Sequence, residues 1–147
     1  MTRKIETGTT NPVLRQKAGE VKEITPQTKE LIGDMFETLA ANNGVGLAAP
    51  QIGQPLRIIV LKPDSTERTI ALINPQIRKK SWRKEIMEEG CLSLPGVYLP
   101  VKRAKKIVVA GKNIKGEKVI LETEGLLAKI IQHEVEHLDG ILISDKK

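Results

Sequence analysis

Hydrophobic residues recur at helical spacing in two parts of the chain, and the first lies between residues 26 and 41. Its apolar side chains form one stripe, made of Leu31, Ile32, Met35, Phe36 and Leu39. Thr25 suits the N-cap position and Pro26 the first helical position, while Asn42-Asn43-Gly44 is typical of a helix end. The pattern predicts one helix with a single buried face.

The second stretch runs from residue 126 to residue 138 and is apolar on two neighbouring faces. One face carries Leu126, Ile130, His133 and His137, and the next carries Leu127, Ile131, Val135 and Leu138. A helix that is apolar over so wide an arc packs in the interior of a protein. We therefore expect a central helix, ended by Gly140.

Short runs rich in β-branched residues lie between the two helices and predict strands. They cover residues 57–61, 69–74 with a continuation over 76–81, 98–101, 106–111 and 118–123. The last two form a hairpin around Gly116. Pro75 is expected to end the strand over residues 69–74. Residues 1–24 are expected to be irregular, with a turn at 11–14. The fold class is α+β, with small antiparallel sheets packed around the C-terminal helix and residues 1–147 as a single domain.

Composition indicates the cellular compartment in which the protein works. The chain of 147 residues has a single cysteine, which excludes an intramolecular disulfide and fits a reducing compartment. It contains no apolar run long enough to span a membrane and no signal-peptide core. We expect a cytoplasmic location and no membrane partner.

Basic residues give a net charge of +6 and cluster at positions 78–80, 83–84 and 102–106. Such clusters either contact nucleic acid or form a solvated face. Since no aromatic interleaving supports base stacking, we favour the solvated face and expect no specific nucleic-acid partner. Proximity to RNA stays open.

The candidate chemistry lies at positions 132–140, where His133 and His137 are four residues apart and Glu134 follows the first. On a helix, the two imidazoles lie on one face and can bind one metal ion, with Glu134 as general base. A catalytic site of this kind needs about three protein ligands. No further histidine exists, and Cys91, the one cysteine, lies in a polar, glycine-bounded turn. A Cys/His/His site follows; the alternatives are two surface histidines and a small buried cysteine.

A glycine-rich stretch at positions 44–53 matches the letters of a dinucleotide-binding fingerprint. That motif must follow a strand and open a helix, whereas this one follows a helix and contains Pro50 and Gly53. Its small residues are better explained as room for a peptide backbone. Gln51 is the one amide there that can hydrogen-bond a polarised oxygen, or else it stabilises the turn.

Three stretches in this order, Gly44-Val45-Gly46-Leu47-Ala48-Ala49-Pro50-Gln51, Glu89-Gly90-Cys91-Leu92-Ser93 and Gln132-His133-Glu134-Val135-Glu136-His137, resemble the signature motifs of the peptide deformylases. The resemblance implies a divalent metal bound by Cys91, His133 and His137: ferrous iron natively, with zinc, nickel or cobalt tolerated. It implies an oxyanion hole formed by the Gln51 side chain and the Leu92 backbone N–H. The implied reaction is attack of a metal-bound hydroxide, with Glu134 as base and acid, on the formyl group of N-formyl-Met nascent peptides, releasing formate.

The resemblance also suggests where the substrate lies. Our candidates for an apolar methionine pocket are Val45, Leu126 and Ile130. Gly46 and Gly90 leave room for a substrate backbone that adds like a strand. Three further residues are expected to support the site, namely Gly44 and a buried pair, Glu89 and Arg103. Alternatively, Arg103 belongs to the basic face.

Three departures from the family pattern stand out. Glu136 occupies a position where the family usually has Asp, and it is expected to perturb a contact behind the metal ligands. Lys129 replaces an apolar residue near the methionine pocket; its stem is expected to pack there while its ammonium group reaches solvent or acidic substrate groups. The chain stops seven residues after Gly140, so it resembles short members that lack the C-terminal ribosome-docking helix. Any contact with the ribosome would then depend on the basic clusters. We also expect the protein to be a monomer.

Three other functions compete with this one. A zinc endopeptidase of the HExxH type needs a metal ligand downstream, and none follows His137. A binding protein that has lost catalysis would lack Glu134, Gln51 or a ligand, and all are present. An RNA-binding module would need exposed aromatic residues or an RNA-binding motif, and neither is expected.

Overall fold

The computed structural model describes residues 1–63 and 68–146. Its α-helices are α1 (Pro12–Arg15), α2 (Pro26–Ala41) and α3 (Leu126–Leu138). Its strands are β1 (Gly46–Ala48), β2 (Ile58–Leu61), β3 (Ile70–Lys80), β4 (Lys84–Cys91), β5 (Leu94–Ala104), β6 (Lys106–Lys112) and β7 (Lys118–Glu124). Single 3-10 turns occupy Ala49–Ile52 and Ile143–Lys146.

Helix α2 begins where the sequence predicts, because Thr25 and Thr28 cap it reciprocally. The Thr25 hydroxyl accepts from the Thr28 backbone N–H at 3.3 Å, and the Thr25 N–H donates to the Thr28 hydroxyl at 3.1 Å. Together they satisfy donors that every helix start leaves free. The predicted turn at residues 11–14 is instead the one-turn helix α1, whose N-cap is Asn11.

Two antiparallel sheets form the β layer. The larger has the order β1-β2-β3-β6-β7, and the smaller is the hairpin β4-β5. Helix α3 packs against β1, β2, β3 and β7 of the large sheet and against β5 of the hairpin. The central position of this helix and the α+β architecture are therefore confirmed.

The expectation that Pro75 ends a strand is wrong. Strand β3 continues through Pro75 to Lys80, and its register against β6 shifts between Ile73 and Gln76. Asn74 adopts a φ of +54° at this irregularity, and its side chain bonds the backbone of Val21 in both directions, at 2.8 and 2.9 Å. The proline is tolerated because a bulge removes the need for its missing N–H.

Two further expectations need correction. Cys91 is the last residue of β4, one residue before the turn at Leu92 and Ser93, rather than part of an irregular turn. The basic clusters are not free of aromatic residues: Trp82 lies between Lys80 and Arg83 and is 98% exposed. Among the described helices, none is long and apolar enough to cross a membrane.

Candidate metal centre and active site

Helix α3 presents its two histidines one turn apart on the face toward the β4–β5 hairpin. The Nε2 atoms of His133 and His137 lie 3.1 Å apart, and their rings meet edge to face with centroids 4.9 Å apart. His137 is 1% exposed, whereas His133 reaches the wall of a groove. The spacing in the sequence thus brings two ring nitrogens to one point, as predicted.

Strand β4 delivers the third group, the Cys91 thiol. Its Sγ lies 3.3 Å from His137 Nε2, and one ligand atom from each of the three residues lies within 4.8 Å of the others. In the described parts of the chain, no other three His, Cys, Asp or Glu side chains gather in this way. The structure therefore brings Cys91 to two histidines that lie more than 40 positions further along the sequence.

These donors fit a small divalent metal. Three ligand atoms around one tetrahedral ion lie about 3.3–3.6 Å apart, given metal–ligand bonds of about 2.0–2.3 Å. The separations of 3.1 Å between the two histidine nitrogens and 3.3 Å between Cys91 Sγ and His137 Nε2 are close to that range. One thiolate and two imidazoles also form a donor set that suits zinc, iron, nickel and cobalt.

The ionisation of the two histidines differs because their surroundings differ. Burial lowers the pKa of His133, but the charge of Glu134 and hydrogen bonds to Cys91 and Glu89 outweigh it and raise that pKa to about 10. Burial, reinforced by the positive charges of His133 and Arg103, holds the pKa of His137 well below its usual value. The cluster already attracts positive charge, and a metal cation would replace the His133 proton.

Glu89 orients His133 from behind. Its Oε1 lies 2.9 Å from His133 Nδ1, which leaves Nε2 directed at the cluster. Arg103 donates to both oxygens of Glu89, from Nε at 2.6 Å and from Nη2 at 2.9 Å. Arg103 is only 3% exposed, so the alternative that it belongs to the basic face is wrong. A carboxylate that fixes the far nitrogen of a histidine is typical of metal sites.

Glu136 extends this network, since its Oε1 accepts from Arg103 Nη1 at 2.9 Å and its Oε2 from Lys146 Nζ at 2.7 Å. Glu136 therefore contacts Arg103, which holds Glu89, and Glu89 in turn orients His133. This position agrees with the predicted contact behind the cluster.

Glu134 lies beside the three donors and is 4% exposed. Its Oε1 is buried and accepts no hydrogen bond from any described protein group. Burial raises the pKa of Glu134 to about 7, although the charges of His133 and Arg103 act in the opposite direction. A carboxylate with a free oxygen and a pKa near neutrality is suited to exchange a proton with a water molecule.

Gln51 joins the cluster from the 3-10 turn after β1. Its Nε2 donates to the Ser93 hydroxyl at 3.1 Å and points at Cys91 Sγ at 3.7 Å. Its Oε1 accepts from the Ala48 backbone N–H at 2.9 Å. The amide thus stabilises its own turn and also presents an N–H beside the cluster; its role toward a polarised oxygen stays a prediction.

A groove of about 660 Å³ passes over the cluster and is lined by residues from all three predicted motifs. Gly44, Gly46, Gly90 and Leu92 lie along it, as expected. The three candidates for a methionine pocket also line it, but Val45 and Leu126 are about half exposed and Ile130 is buried. The first two therefore form the rim of the groove, and Ile130 forms its wall.

The sequence did not indicate two contacts in this region. Ser93 is fully buried and accepts from Gln51. Lys129 is 9% exposed, and its Nζ donates to Glu85 Oε1 on β4 at 2.7 Å, so the expectation that its ammonium group reaches solvent is wrong. An acid on β4 opposite a lysine on α3 has no signature in a single sequence, because the two are 44 residues apart.

Comparisons with known proteins agree on one family. The polypeptide deformylase family model matches residues 3–147. A peptide deformylase of Dictyoglomus thermophilum is 50% identical over 136 residues, covering 92% of this chain and 87% of that protein. The crystal structure of the Thermotoga maritima peptide deformylase is 40% identical, with a TM-score of 0.94 over 99% of this chain and 97% of that one.

A third relative is the class I type b peptide deformylase from Acinetobacter baumannii, in a crystal structure with Met-Ala-Ser bound. It is 30% identical, with a TM-score of 0.94 over 100% of this chain and 99% of that one. The likeness extends over nearly the whole length of both chains. The chain therefore belongs to the polypeptide deformylase family.

Proposed function

We propose a mechanism by which this chain carries out the reaction of its family, the metal-dependent removal of the formyl group from the N-terminal methionine of new polypeptides. One observation carries the proposal: three metal-binding side chains converge beside a buried carboxylate at the floor of a peptide-sized groove. We further propose that residues 1–147 act as one domain, because helix α3 packs against both sheets.

Cys91, His133 and His137 would hold one divalent ion. When bound, the ion lowers the pKa of water toward neutrality and polarises the formyl oxygen. Ferrous iron is expected natively on the resemblance to the family, and the thiolate and imidazole donors also suit zinc, nickel and cobalt.

Glu134 would move the proton. Its free Oε1 accepts a proton from the water that attacks the formyl carbon and later returns it to the leaving amine, so that formate and a free amino terminus result. Because its pKa lies near 7, the carboxyl group can serve in both steps near neutral pH. Its burial also keeps competing bulk water away.

Gln51 Nε2 and the Leu92 backbone N–H would bind the oxygen that becomes negatively charged. Gln51 is held from its other end by Ala48, so its N–H is already oriented before substrate arrives. Preorganised donors of this kind typically contribute about 10²–10³ in turnover.

The substrate methionine would lie against Ile130, between the rim residues Val45 and Leu126. Lys129, whose ammonium group is bonded to Glu85, also lines the groove. Gly46 and Gly90 flank the path of the peptide backbone and leave room for strand-like pairing. The relative from Acinetobacter baumannii with Met-Ala-Ser bound supports a short peptide as the ligand of this groove.

A substrate of this kind is present where polypeptides are made. We therefore propose a cytoplasmic monomer that works close to the ribosome on N-formyl-Met nascent chains. No specific nucleic-acid sequence and no membrane partner is required by this chemistry.

The test is formate release from formyl-Met-Ala-Ser by protein purified without oxygen and loaded with one equivalent of ferrous iron. We expect turnover in the wild type, its loss in Glu134→Ala with metal content unchanged, and no change in Glu122→Gln, an exposed acid on β7. Metal-loaded wild type without turnover would refute the proposal and favour a binding protein. Cleavage of internal peptide bonds would instead favour an endopeptidase.

A further inference from the structure

The turn between β3 and β4 carries the only tryptophan of the chain, and none of the chemistry above uses it. Trp82 is 98% exposed. An indole so fully in water loses the hydrophobic stabilisation that favours burial of aromatic residues. Exposed rings of this size are typical of surfaces that contact a partner.

Basic side chains surround Trp82 along the backbone. We call the following residues the Trp82 cluster: Lys80, Trp82, Arg83, Lys84, Lys105 and Lys106. The two segments are adjacent, because the Ser81 N–H donates to the Lys106 carbonyl at 2.8 Å and the Lys105 N–H to the Arg83 carbonyl at 3.0 Å. Five cationic residues thus flank the exposed ring on two backbone segments that hydrogen bonds hold together.

The backbone at this point is held in place. The Ser81 hydroxyl donates to the Arg83 carbonyl at 2.7 Å and accepts from the Lys106 N–H at 3.0 Å. On both sides the chain continues into paired strands, with Lys80 opposite Ile107 and Lys84 opposite Ala104. A partner would therefore meet a preformed platform, which reduces the entropy lost on binding.

Few acids neutralise these cations. Glu124 lies 3.7 Å from Lys106 Nζ, and Glu85 feels the charges of Lys105 and Arg83 but is bonded to Lys129. Within the described residues, Lys80, Arg83 and Lys84 form no ion pair. The cluster keeps a net positive charge and free donors.

We propose that the Trp82 cluster binds RNA without sequence preference, with phosphates held by its lysines and arginine and one unpaired base stacked on Trp82. Exposed aromatic rings beside cationic side chains are the usual platform for single-stranded nucleic acid. An anionic membrane is the less suitable partner, because a single ring at a narrow turn offers little apolar area to insert. The ribosome, from which the proposed substrate emerges, is rich in RNA, so such a contact would bring the enzyme to its substrate. To this extent the inference rests on the proposed function.

The contact would not touch the chemistry. Strand β4 separates Lys84 from Cys91 by seven residues, which is about 23 Å of extended chain. Deformylation of a free short peptide should therefore not depend on Trp82. A failure of the RNA contact can in this way be told apart from a failure of the enzyme.

The test measures binding of metal-loaded protein to a labelled twelve-nucleotide polyuridine by fluorescence anisotropy at several salt concentrations. We expect Trp82→Ala to bind roughly tenfold more weakly, and Trp82→Phe to fall between that variant and the wild type. Lys80→Gln with Lys84→Gln should reduce the slope of log affinity against log salt by about 1.4, at roughly 0.7 per phosphate contact. In the wild type, stacking should quench the fluorescence of this single tryptophan.

The matched control is Lys115→Gln with Lys118→Gln, two exposed lysines at the opposite end of the β6–β7 hairpin. These changes should leave affinity and quenching within about twofold of the wild type, since they alter only long-range charge. Three results would overturn the proposal: full affinity in Trp82→Ala, an equal loss in the control pair, or binding to vesicles of anionic phospholipid in preference to RNA. Formate release from formyl-Met-Ala-Ser should be unchanged in every variant.

Discussion

Gly46 is the position where one added methyl group should do most harm to catalysis. A Cβ there would lie 2.7 Å from Glu134 Oε2, 2.8 Å from Ile130 Cγ2 and 3.0 Å from Glu134 Cγ. Both neighbours are buried, Glu134 at 4% and Ile130 at 5% exposure, so neither can turn away into solvent. The Gly46→Ala change must therefore displace the carboxylate, the backbone of β1, or both.

The size of the effect follows from these contacts. Ordinary van der Waals contact for such atoms begins at 3.4 Å, so Glu134 Oε2 must retreat by about 0.7 Å. Overpacking of this kind costs about 1–3 kcal/mol of stability. A misplacement approaching 1 Å at a reacting group costs about 10²-fold in turnover. We expect Gly46→Ala to fold, to bind one metal ion and to lose about 99% of its kcat.

The matched control is Gly33→Ala in α2, where an added Cβ meets nothing within 4 Å. Gly33 is exposed in the helix interior, so alanine there should stabilise the protein by about 0.5–1 kcal/mol and leave kcat unchanged. The two substitutions are chemically identical and have opposite predicted signs.

A second variant separates packing from catalysis. Ile130→Leu in the Gly46→Ala background removes the Cγ2 contact but not the contacts with Glu134. Part of the lost stability should return, whereas kcat should stay low. The measurements are urea unfolding and formate release from formyl-Met-Ala-Ser, with metal content determined for each variant. If Gly46→Ala turned over within twofold of the wild type, the assigned position and role of Glu134 would be refuted.

Four further predictions concern stability. Arg103→Met should cost about 3–5 kcal/mol in urea unfolding, because it leaves Glu89 charged and buried, and adding Glu89→Gln should recover part of the loss; full stability in the single variant would contradict this. Gly140→Ala should destabilise more than Gly53→Ala. Both glycines have positive φ, +75° and +83°, but only at Gly140 does a Cβ collide with the backbone of α1; equal losses would show that backbone conformation alone matters. An arginine of α1 and a backbone N–H donate hydrogen bonds to Asp145, and these bonds hold the pKa of Asp145 below its usual value of 3.8. The contribution of the Asp145 carboxylate to the free energy of unfolding is therefore complete above about pH 5, and it is lost as pH falls through that lowered pKa. The stability difference between wild type and Asp145→Asn should shrink below pH 4, and a constant difference would refute the pairing. Removal of the metal with a chelator should lower Tm, because metal at a hundredfold excess over its Kd adds about 2.7 kcal/mol to the free energy of unfolding. An unchanged Tm would argue against a metal bound to the folded state.

Much of the candidate site can be predicted from the sequence because its information is local. His133, Glu134 and His137 occupy one helical turn, so their mutual placement follows from helix geometry alone. The start of α2 follows from Thr25 and Pro26 for the same reason. Counting the cysteine and histidines of the chain was enough to indicate which third side chain joins the pair.

Strand β4 was missed because its pattern depends on partners that are distant in sequence. Its inward-facing positions include Glu85 and Glu89, acids that an alternating apolar pattern does not place inward; only the family resemblance suggested that Glu89 is buried. Each acid is tolerated there because a cation from elsewhere meets it, Lys129 from α3 and Arg103 from β5. No periodicity of apolar residues records such a pairing.

The sequence by itself determined the helix that carries His133, Glu134 and His137, and it indicated which groups perform the chemistry. Only the tertiary structure decided that Cys91 meets the histidines, that the carboxylate of Glu134 keeps one oxygen free, and that Trp82 projects into water among cations. The physical reason is that local conformation depends on neighbours along the chain. Burial, pKa and exposure depend on groups brought together by packing, and these are dozens of residues apart.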